Sequence, residues 1–173
     1  CCFKFQPEAK IRRLLLFSSE MLELAHQQKG ENAHGLSYIR GDAMAPPFPK
    51  EYFEAVTVGY GLRNVADLTG CIKNILSLLK PSGVLVCLDV GKVNIPVIAQ
   101  LNRIYFFKIV PLIGKLLMPG QEMFDYLPHS SINYPDQKKL KKILLEEGFQ
   151  KVDVYDFVFG ASTIHVAHKS SSS

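Results

Sequence analysis

Residues 84–90 form a nearly continuous apolar run, and this run constrains the fold more than any other stretch of the chain. The turn-forming residues Lys80-Pro81-Ser82-Gly83 come directly before it. A strand that is apolar at successive positions has to be covered on both faces, as inner strands are in parallel sheets packed between helices. The run therefore predicts a central parallel strand in an α/β fold.

The remaining elements alternate as such a fold requires. Ser18 and Ser19 are favourable N-cap residues for a helix that ends at Gly30. The apolar spacing predicts helices over residues 20–29, 68–79 and 135–148, and strands over residues 36–40, 55–59, 152–159 and 162–168. The last two strands flank a turn at Gly160, so we expect a terminal antiparallel pair to close the sheet.

Length and composition favour one globular domain over residues 1–173, with 47% hydrophobic and 21% charged residues. Within it we expect an atypical start at residues 1–16, an apolar helical insertion at residues 93–134 and a disordered tail at residues 170–173. The net charge of +4 is too small to indicate nucleic-acid binding. The sequence is also compatible with a homodimer.

The cysteines and histidines have no spacing that indicates a disulfide framework or a metal site. Cys1 and Cys2 are adjacent, Cys71 falls in a predicted helix and Cys87 in a predicted strand. We therefore expect a reducing compartment, the cytoplasm or the interior of an organelle, and no bound metal.

Two segments leave contact with lipid open. Residues 93–118 are strongly apolar, but polar side chains and Pro111 interrupt them, so we interpret them as kinked helices of a lid rather than a bilayer span. A helical pair that completes the core, or a segment at the membrane interface, are alternatives. The basic cluster Lys138, Lys139, Lys141 and Lys142 is a solvated helix face or a contact for lipid head groups.

Polar residues mark the point where the strand at residues 55–59 ends. Tyr60, Arg63 and Asn64 follow it, and the carboxyl ends of strands are where open α/β sheets bind ligands. Asp42-Ala43 follows the preceding strand in the same way. An acidic residue at this place can accept a hydrogen bond from an adenine amino group, although Gly41-Asp42 is also ordinary turn chemistry.

The order and spacing of four motifs resemble the ubiquinone/menaquinone-biosynthesis C-methyltransferase family of class I S-adenosylmethionine-dependent methyltransferases. The motifs are Gly41-Asp42-Ala43, Gly61-Leu62-Arg63-Asn64-Val65, Leu79-Lys80-Pro81-Ser82-Gly83 and Pro135-Asp136-Gln137. The resemblance covers about residues 17–169. It implies a Rossmann-like, mostly parallel sheet that ends in the antiparallel pair.

The resemblance also implies a reaction: transfer of a methyl group from S-adenosylmethionine to a ring carbon of a polyprenylated hydroquinone, demethylmenaquinol or its benzoquinol counterpart. Arg63 is suited to stabilise the phenolate of this substrate, because a fixed cation favours ionisation of a nearby hydroxyl. A water ordered by Arg63 and Asn64 would remove the proton, with Tyr60 as a polar neighbour. In the alternative, Arg63 pairs with Asp67 and Asn64 caps the next helix.

Residue by residue, the resemblance places Asp42, Ala43, Gly59, Phe17 and Ser18 on the cofactor. It places Tyr126, Ser130 and Ser131 on the quinone side, and the apolar residues 98–117 around the prenyl tail. Other members of the family carry a first strand with a Gly-rich turn, and an acidic residue for the ribose where this chain has Leu16.

We therefore expect a sheet without the first strand. We also expect either a truncated enzyme with a foreign start before about Ile11, or an inactive subunit that binds prenylquinone or a partner enzyme. A methyltransferase acting on another lipid is a third hypothesis. A peripheral position at a membrane surface is compatible with each.

Overall fold

The computed structural model describes residues 2–6, 12–16, 18–27, 36–93, 100, 104 and 134–171. The strands are β1 (Cys2–Gln6), β2 (Arg12–Leu16), β3 (Leu36–Arg40), β4 (Phe53–Gly59), β5 (Leu79–Val90), β6 (Lys151–Phe157) and β7 (Ser162–His168). The helices are α1 (Ser19–Gln27), α2 (Leu68–Leu78) and α3 (Gln137–Glu146). Most of the predicted lid at residues 93–134 lies outside the described residues.

The strands form one sheet in the order β3-β2-β1-β4-β5-β7-β6. The parallel pairs are β2 with β3 and β4 with β5, whereas β7 is antiparallel to both β5 and β6. All strands except β1 and β7 therefore run in one direction. This arrangement confirms the mostly parallel sheet and its C-terminal antiparallel pair.

The expectation of a missing first strand is wrong, because β1 lies in the middle of the sheet between β2 and β4. It is antiparallel to both neighbours, pairing Cys2 with Leu16 on one side and with Gly59 on the other. The short connection from β1 to β2 explains why β1 runs antiparallel. Residues 7–11 are too few for a parallel crossover, which takes a dozen or more residues, but they suffice to join an antiparallel pair.

Strand β5 crosses the core with alternate residues on two unlike faces. Leu85, Cys87 and Asp89 are buried, and they face the core that α2 and α3 complete. The residues between them are only half-buried, namely Val84, Val86, Leu88 and Val90. The central position predicted for this strand is confirmed, whereas among the described residues only one of its faces is fully covered.

The predicted turn at residues 80–83 lies inside β5, which starts at Leu79. Pairing with β4 jumps from Phe53 opposite Leu79 to Ala55 opposite Val84, so these four residues bulge out of the ladder. Ser82 has a φ of 61°, a left-handed conformation typical of turns. The turn chemistry therefore produces a bulge within a longer strand.

Carboxylates at the predicted helix starts cap the helices that follow. Asp67 accepts a hydrogen bond from the Gly70 N–H at 3.0 Å, and Asp136 accepts one from the Lys139 N–H at 2.9 Å. Each bond satisfies a backbone donor that the helix itself leaves unpaired. Helix α3 ends before Gly148, whose φ is 108°, as the sequence predicts.

Shortening a side chain should lower the free energy of unfolding by different amounts on the two faces of β5. We expect Leu85→Ala to lower the free energy of unfolding by about 2–5 kcal/mol, since it removes a fully buried side chain. Val86→Ala, on the half-buried face, should cost less than half as much. Urea unfolding of both variants measures this difference, and equal losses would contradict the asymmetry.

Candidate functional site

Strands β2, β3, β4 and β5 all end at the same edge of the sheet, and most of the predicted site residues that the structure describes follow these ends. The backbone fixes the turn after β4: the Tyr60 N–H donates to the Leu88 carbonyl at 2.8 Å. Tyr60 has a φ of 52°, which reverses the chain into a short 3₁₀ turn, Leu62–Asn64. Leu62 is buried and anchors this turn in the core.

The turn holds three predicted residues close together. Asn64 Nδ2 donates to the Tyr60 carbonyl oxygen at 3.2 Å, which ties the end of the turn to its beginning. The Arg63 guanidinium lies over the Tyr60 ring, 5.3 Å from its centroid, at a distance typical of cation–π contacts. Tyr60, Arg63 and Asn64 therefore form one local unit, as their spacing predicts.

Arg63 also forms a buried ion pair with Asp89 at the end of β5. Arg63 Nη1 donates to Asp89 Oδ1 at 3.2 Å, and the two side chains are 6% and 0% exposed. The Val90 N–H donates to the same oxygen at 2.8 Å. Removing one partner of such a pair leaves an uncompensated buried charge, which typically costs about 3–5 kcal/mol.

Some polar atoms of this pair remain unused. Arg63 Nε and Asp89 Oδ2 are buried and have no hydrogen-bond partner among the residues that the structure describes. Burial raises the pKa of the Asp89 carboxyl above its ordinary value, while the Val90 N–H and the Arg63 guanidinium act in the opposite direction. Among the residues that the structure describes, one donor and one acceptor of this pair therefore have no hydrogen-bond partner in the interior.

Asp89 is the functional candidate that the sequence interpretation missed. It was counted only as part of the apolar run at residues 84–90. An aspartate inside such a run is itself informative, because charged residues are almost never fully buried unless they are paired. Its place at a strand's carboxyl end would have made it a partner for Arg63.

The alternative roles considered for Arg63 and Asn64 do not match the geometry. Asp67 accepts from the Gly70 N–H and is the N-cap of α2. The ion-pair partner of Arg63 is Asp89, and the Asn64 amide donates within its own turn. Asn64 therefore does not cap α2.

The predicted adenine-binding residues lie in the loop after β3. Asp42 is exposed, and one of its carboxylate oxygens accepts from the Met44 N–H at 2.9 Å, which is turn chemistry. Asn74 Nδ2 of α2 donates to the Met44 carbonyl at 2.6 Å. This bond ties the loop that carries Asp42 and Ala43 to α2, at the edge of the sheet where Arg63 lies.

Gly59 leaves space for a nucleoside, whereas the Leu16 side chain provides no hydrogen-bond acceptor for one. A Cβ added to Gly59 would meet no atom of the described residues within 4 Å, so these residues leave open space beside the end of β4. Leu16 is 3% exposed, and its carbonyl accepts from the Gly41 N–H at 3.0 Å. This contact places it beside Gly41-Asp42, where its apolar side chain accepts no hydrogen bond. The described residues therefore fit the adenine side of S-adenosylmethionine and not its ribose side.

The other predicted site residues fall into two groups. Ser18 accepts from the Met21 N–H at 3.4 Å and donates to Glu20 at 2.9 Å, so it occupies the start of α1. Phe17, Tyr126, Ser130 and Ser131 lie outside the described residues. Among the described residues no group of three or more histidine, cysteine or acidic side chains is placed to hold a metal ion.

A buried amide connects the end of β5 to α3 and β7. Gln137 Oε1 accepts from the Lys92 N–H at 3.1 Å, and its Nε2 lies 3.0 Å from the Lys92 carbonyl and 3.2 Å from the Gly160 carbonyl. The Gln137 carbonyl accepts from His165 Nε2 at 3.1 Å. The Pro-Asp-Gln motif therefore serves to fix the loop beyond Asp89.

Comparison with known proteins supports the same interpretation. The sequence profile of the ubiE/COQ5 methyltransferase family matches residues 4–169. The chain belongs to this family. The match begins before residue 17, so family likeness extends into the atypical start that the sequence interpretation set aside.

Curated relatives in this family are named demethylmenaquinone methyltransferase. That of Leptospira interrogans is 46% identical over 159 residues, covering 90% of this chain and 64% of the relative. That of Staphylococcus saprophyticus is 36% identical over 153 residues, covering 88% of this chain and 65% of the relative. The chain thus spans just under two thirds of the length of these relatives.

Solved structures show the fold of the family member. A SAM-dependent methyltransferase from Thermotoga maritima has a TM-score of 0.64 at 17% identity, covering 90% of this chain and 72% of its own. Another from Aquifex aeolicus has a TM-score of 0.60 at 12% identity, covering 89% and 66%. The sheet is therefore that of class I methyltransferases. None of the described helices is long and apolar enough to cross a membrane.

Acid should destabilise this family member through His165. Burial lowers the pKa of His165, so below about pH 6.5 the unfolded chain binds a proton that the folded chain resists. Stability should therefore fall as the pH drops from 7 to 5, by up to about 1.4 kcal/mol per pH unit from this group. Urea unfolding at both pH values should show a smaller fall for His165→Gln.

His168→Gln is the matched control, since it changes a half-exposed histidine on the same strand. The fall in stability of His165→Gln is compared with the falls of His168→Gln and of the unchanged chain. A His165→Gln variant whose stability falls as much as that of the unchanged chain would show that His165 is not the group responsible.

Proposed function

We propose that this chain forms the substrate side of an S-adenosylmethionine-dependent methyltransferase that methylates a ring carbon of a polyprenylated hydroquinone. The observation that carries the proposal is the buried Arg63–Asp89 pair at the carboxyl edge of the sheet, in which one donor and one acceptor have no partner among the described residues. The curated names of the relatives support demethylmenaquinol as the substrate, and the benzoquinol counterpart is supported at the level of the ubiE/COQ5 family.

When bound, S-adenosylmethionine supplies a methyl group on a positively charged sulfur, which an electron-rich ring carbon can attack. Asp42 would accept from the adenine amino group, Ala43 would lie against the ring, and the open space at Gly59 would admit the cofactor close to the backbone. Ser18 would border the same site from the start of α1, and Phe17 remains a proposed contact of the cofactor.

The Arg63–Asp89 pair matches the two needs of a phenolic hydroxyl. The hydroxyl would donate to Asp89 Oδ2 and accept from Arg63 Nε, the two atoms of the pair that have no partner among the described residues. The raised pKa of Asp89 makes it a better proton acceptor than an exposed carboxylate. After transfer of the proton to Asp89, the Arg63 charge stabilises the phenolate, whose electron density activates the ring carbon.

This assignment modifies the role expected for an ordered water. Asp89 replaces the water as proton acceptor, while Asn64 and Tyr60 hold the turn that carries Arg63. Tyr126, Ser130 and Ser131 remain proposed contacts of the quinone ring, and residues 98–117 remain the proposed shelter of the prenyl tail. These segments lie largely outside the described residues.

Leu16 favours a second candidate function, a subunit that binds a prenylated quinol without transferring a methyl group. Its buried, apolar side chain stands beside the Asp42 loop and offers no acceptor to a ribose. Both candidates use the Arg63–Asp89 pair to bind the hydroxyl. They differ only in whether a methylated product forms at saturating S-adenosylmethionine.

We also propose that the protein works at a membrane surface, inside the cytoplasm or an organelle. A prenylated substrate resides in the bilayer, so an enzyme acting on its head group gains from lying against the lipid. The basic residues of α3 fit such a position, and a homodimer would be compatible with it.

Arg63 should lower the pKa of a bound quinol hydroxyl. We expect a short-chain naphthohydroquinone, bound under anaerobic conditions, to show phenolate absorbance at a pH about one to three units below that of the free compound. Arg63→Met should remove this shift, and Asp89→Asn should reduce it by freeing Arg63 from its anchor. Ultraviolet difference spectra over a pH series measure the effect.

Arg40→Met is the control, since Arg40 is exposed at the end of β3 and the variant changes the net charge equally. An unchanged phenolate shift in Arg63→Met would contradict the proposed site. If the shift is present but mass spectrometry finds no methylated quinol at saturating S-adenosylmethionine, the non-transferring candidate is the correct one.

Asp42 should contribute to cofactor affinity rather than to quinol ionisation. A hydrogen bond to a carboxylate is typically worth about 1.5–3 kcal/mol, so Asp42→Ala should weaken S-adenosylmethionine binding by about tenfold or more. With no ribose acceptor at Leu16, we expect the unchanged chain to bind only in the millimolar range, which NMR titration can follow. Glu51→Ala, at the opposite edge of the sheet, is the control. Equal affinities of Asp42→Ala and Glu51→Ala for S-adenosylmethionine would contradict the adenine contact.

A further inference from the structure

The hairpin between β6 and β7 exposes three large apolar side chains at its end. Phe157, Val158 and Phe159, here called the apolar tip, are 48%, 73% and 65% exposed. Single exposed apolar residues are common on soluble proteins, but contiguous ones indicate an interaction surface. The apolar tip is such a contiguous set.

The backbone of the apolar tip adopts a conformation that its residue types disfavour. Val158 and Phe159 have φ values of 50° and 57°. A positive φ is uncommon outside glycine, and for a β-branched residue such as valine it is an outlier. Such strain persists only where the surrounding structure holds it, and it concentrates at functional positions.

Several contacts fix the base of the apolar tip. The Gly160 carbonyl lies 3.2 Å from Gln137 Nε2, and the Gly91 N–H donates to the Ala161 carbonyl at 3.1 Å. A Cβ on Gly91 would collide with the Gly160 carbonyl oxygen, so only glycine permits this close approach. The base of the apolar tip is therefore tied to the end of β5 and to the start of α3.

Three lysines and two aspartates line a cleft beside the apolar tip. The cleft has a volume of about 510 Å³ and is lined by Lys92, Asp136, Gln137, Lys138, Lys141, Val154 and Asp156. Its three lysines are exposed. Asp136 is engaged in capping α3, and Asp156 lies 3.4 Å from Gln137 Nε2. We call Lys92, Lys138 and Lys141 the lysine rim.

We propose that the apolar tip inserts into the interfacial layer of an anionic lipid bilayer while the lysine rim contacts the lipid head groups. Apolar side chains flanked by lysines are the chemistry that binds such a surface, with apolar burial and electrostatic attraction acting together. The choice of lipid as partner rests on the proposed function, since a polyprenylated substrate comes from the bilayer.

Register places the apolar tip beside the candidate site. Asp89 pairs with Thr163, and Thr163 pairs with Asp156, the residue before Phe157. Two strand spacings separate β5 from β6, so the apolar tip begins about 10 Å from the Asp89 backbone. Docking through this hairpin brings the carboxyl edge of the sheet against the lipid, where a quinol head group can reach Arg63.

Vesicle sedimentation tests this surface. We expect residues 1–173 to bind vesicles of phosphatidylglycerol and phosphatidylcholine more tightly than phosphatidylcholine alone, with affinity falling as salt rises. Replacing both Val158 and Phe159 with Ser should weaken binding to the anionic vesicles by about tenfold or more. Leu145→Ser, which removes a 41% exposed leucine near the far end of α3, should have little effect.

Charge variants test the lysine rim separately. Lys138→Ala and Lys141→Ala should each weaken binding to anionic vesicles by about fivefold. Lys50→Ala removes the same charge just before β4, at the opposite edge of the sheet, and should leave binding unchanged. Equal losses for the three variants would overturn the local role of the lysine rim.

Val158→Gly distinguishes a lipid contact from a structural role. Glycine accepts a positive φ, so this variant should raise the Tm while it weakens vesicle binding. A lower Tm would assign Val158 to packing and overturn the proposal. Three other results would also overturn the proposal. The double serine variant could bind vesicles as tightly as Leu145→Ser, or the unchanged chain could fail to bind vesicles. Light scattering could also show a dimer that depends on the apolar tip. None of these measurements requires methyl transfer, so their failure is distinct from failure of the quinol reaction.

Discussion

The parallel pairing of β4 with β5 is the constraint on which the site depends. Because the two strands run in the same direction, their ends meet at one edge, and the turn that carries Arg63 lies beside Asp89. Residues separated by 26 positions in sequence are brought into one ion pair by this register. A one-residue slip of either strand would move its side chains to the opposite face of the sheet and separate the pair.

Burial of this ion pair has opposing effects on stability and on chemistry. Removing two charges from water is costly, and the attraction between them offsets that cost only where the geometry is good and further hydrogen bonds are made. Here one carboxylate oxygen has two donors, whereas Oδ2 and Arg63 Nε have none among the described residues. An apolar pair of similar size could be equally stable, so stability alone does not account for these residues. The pair combines a fixed cation with a carboxyl whose pKa burial raises, and these are the properties that the proposed reaction uses.

Much of this architecture could be predicted from the sequence, because local patterns determine it. The capped helices, the strand at β3 and the terminal hairpin follow from periodicity and from Asp67, Asp136 and Gly160. The antiparallel β1 was missed, since its place in the sheet depends on partners about fifty residues away in β4. Asp89 was missed for a similar reason. Its significance lies in a contact with Arg63, and the apolar pattern around it conceals a single charge. The roles of Phe17, Tyr126, Ser130 and Ser131 remain predictions.

The position of β1 has a further consequence for how the chain can associate. Its backbone joins two parts of the sheet, β3-β2 on one side and β4-β5-β7-β6 on the other. The strand has only five residues, so a local opening need break few hydrogen bonds. Once it opens, β2 and β4 each present an unpaired edge in the interior of the sheet. Such edges can recruit the same strand from another copy of the chain, so local fraying at this one strand becomes a route to strand exchange between molecules.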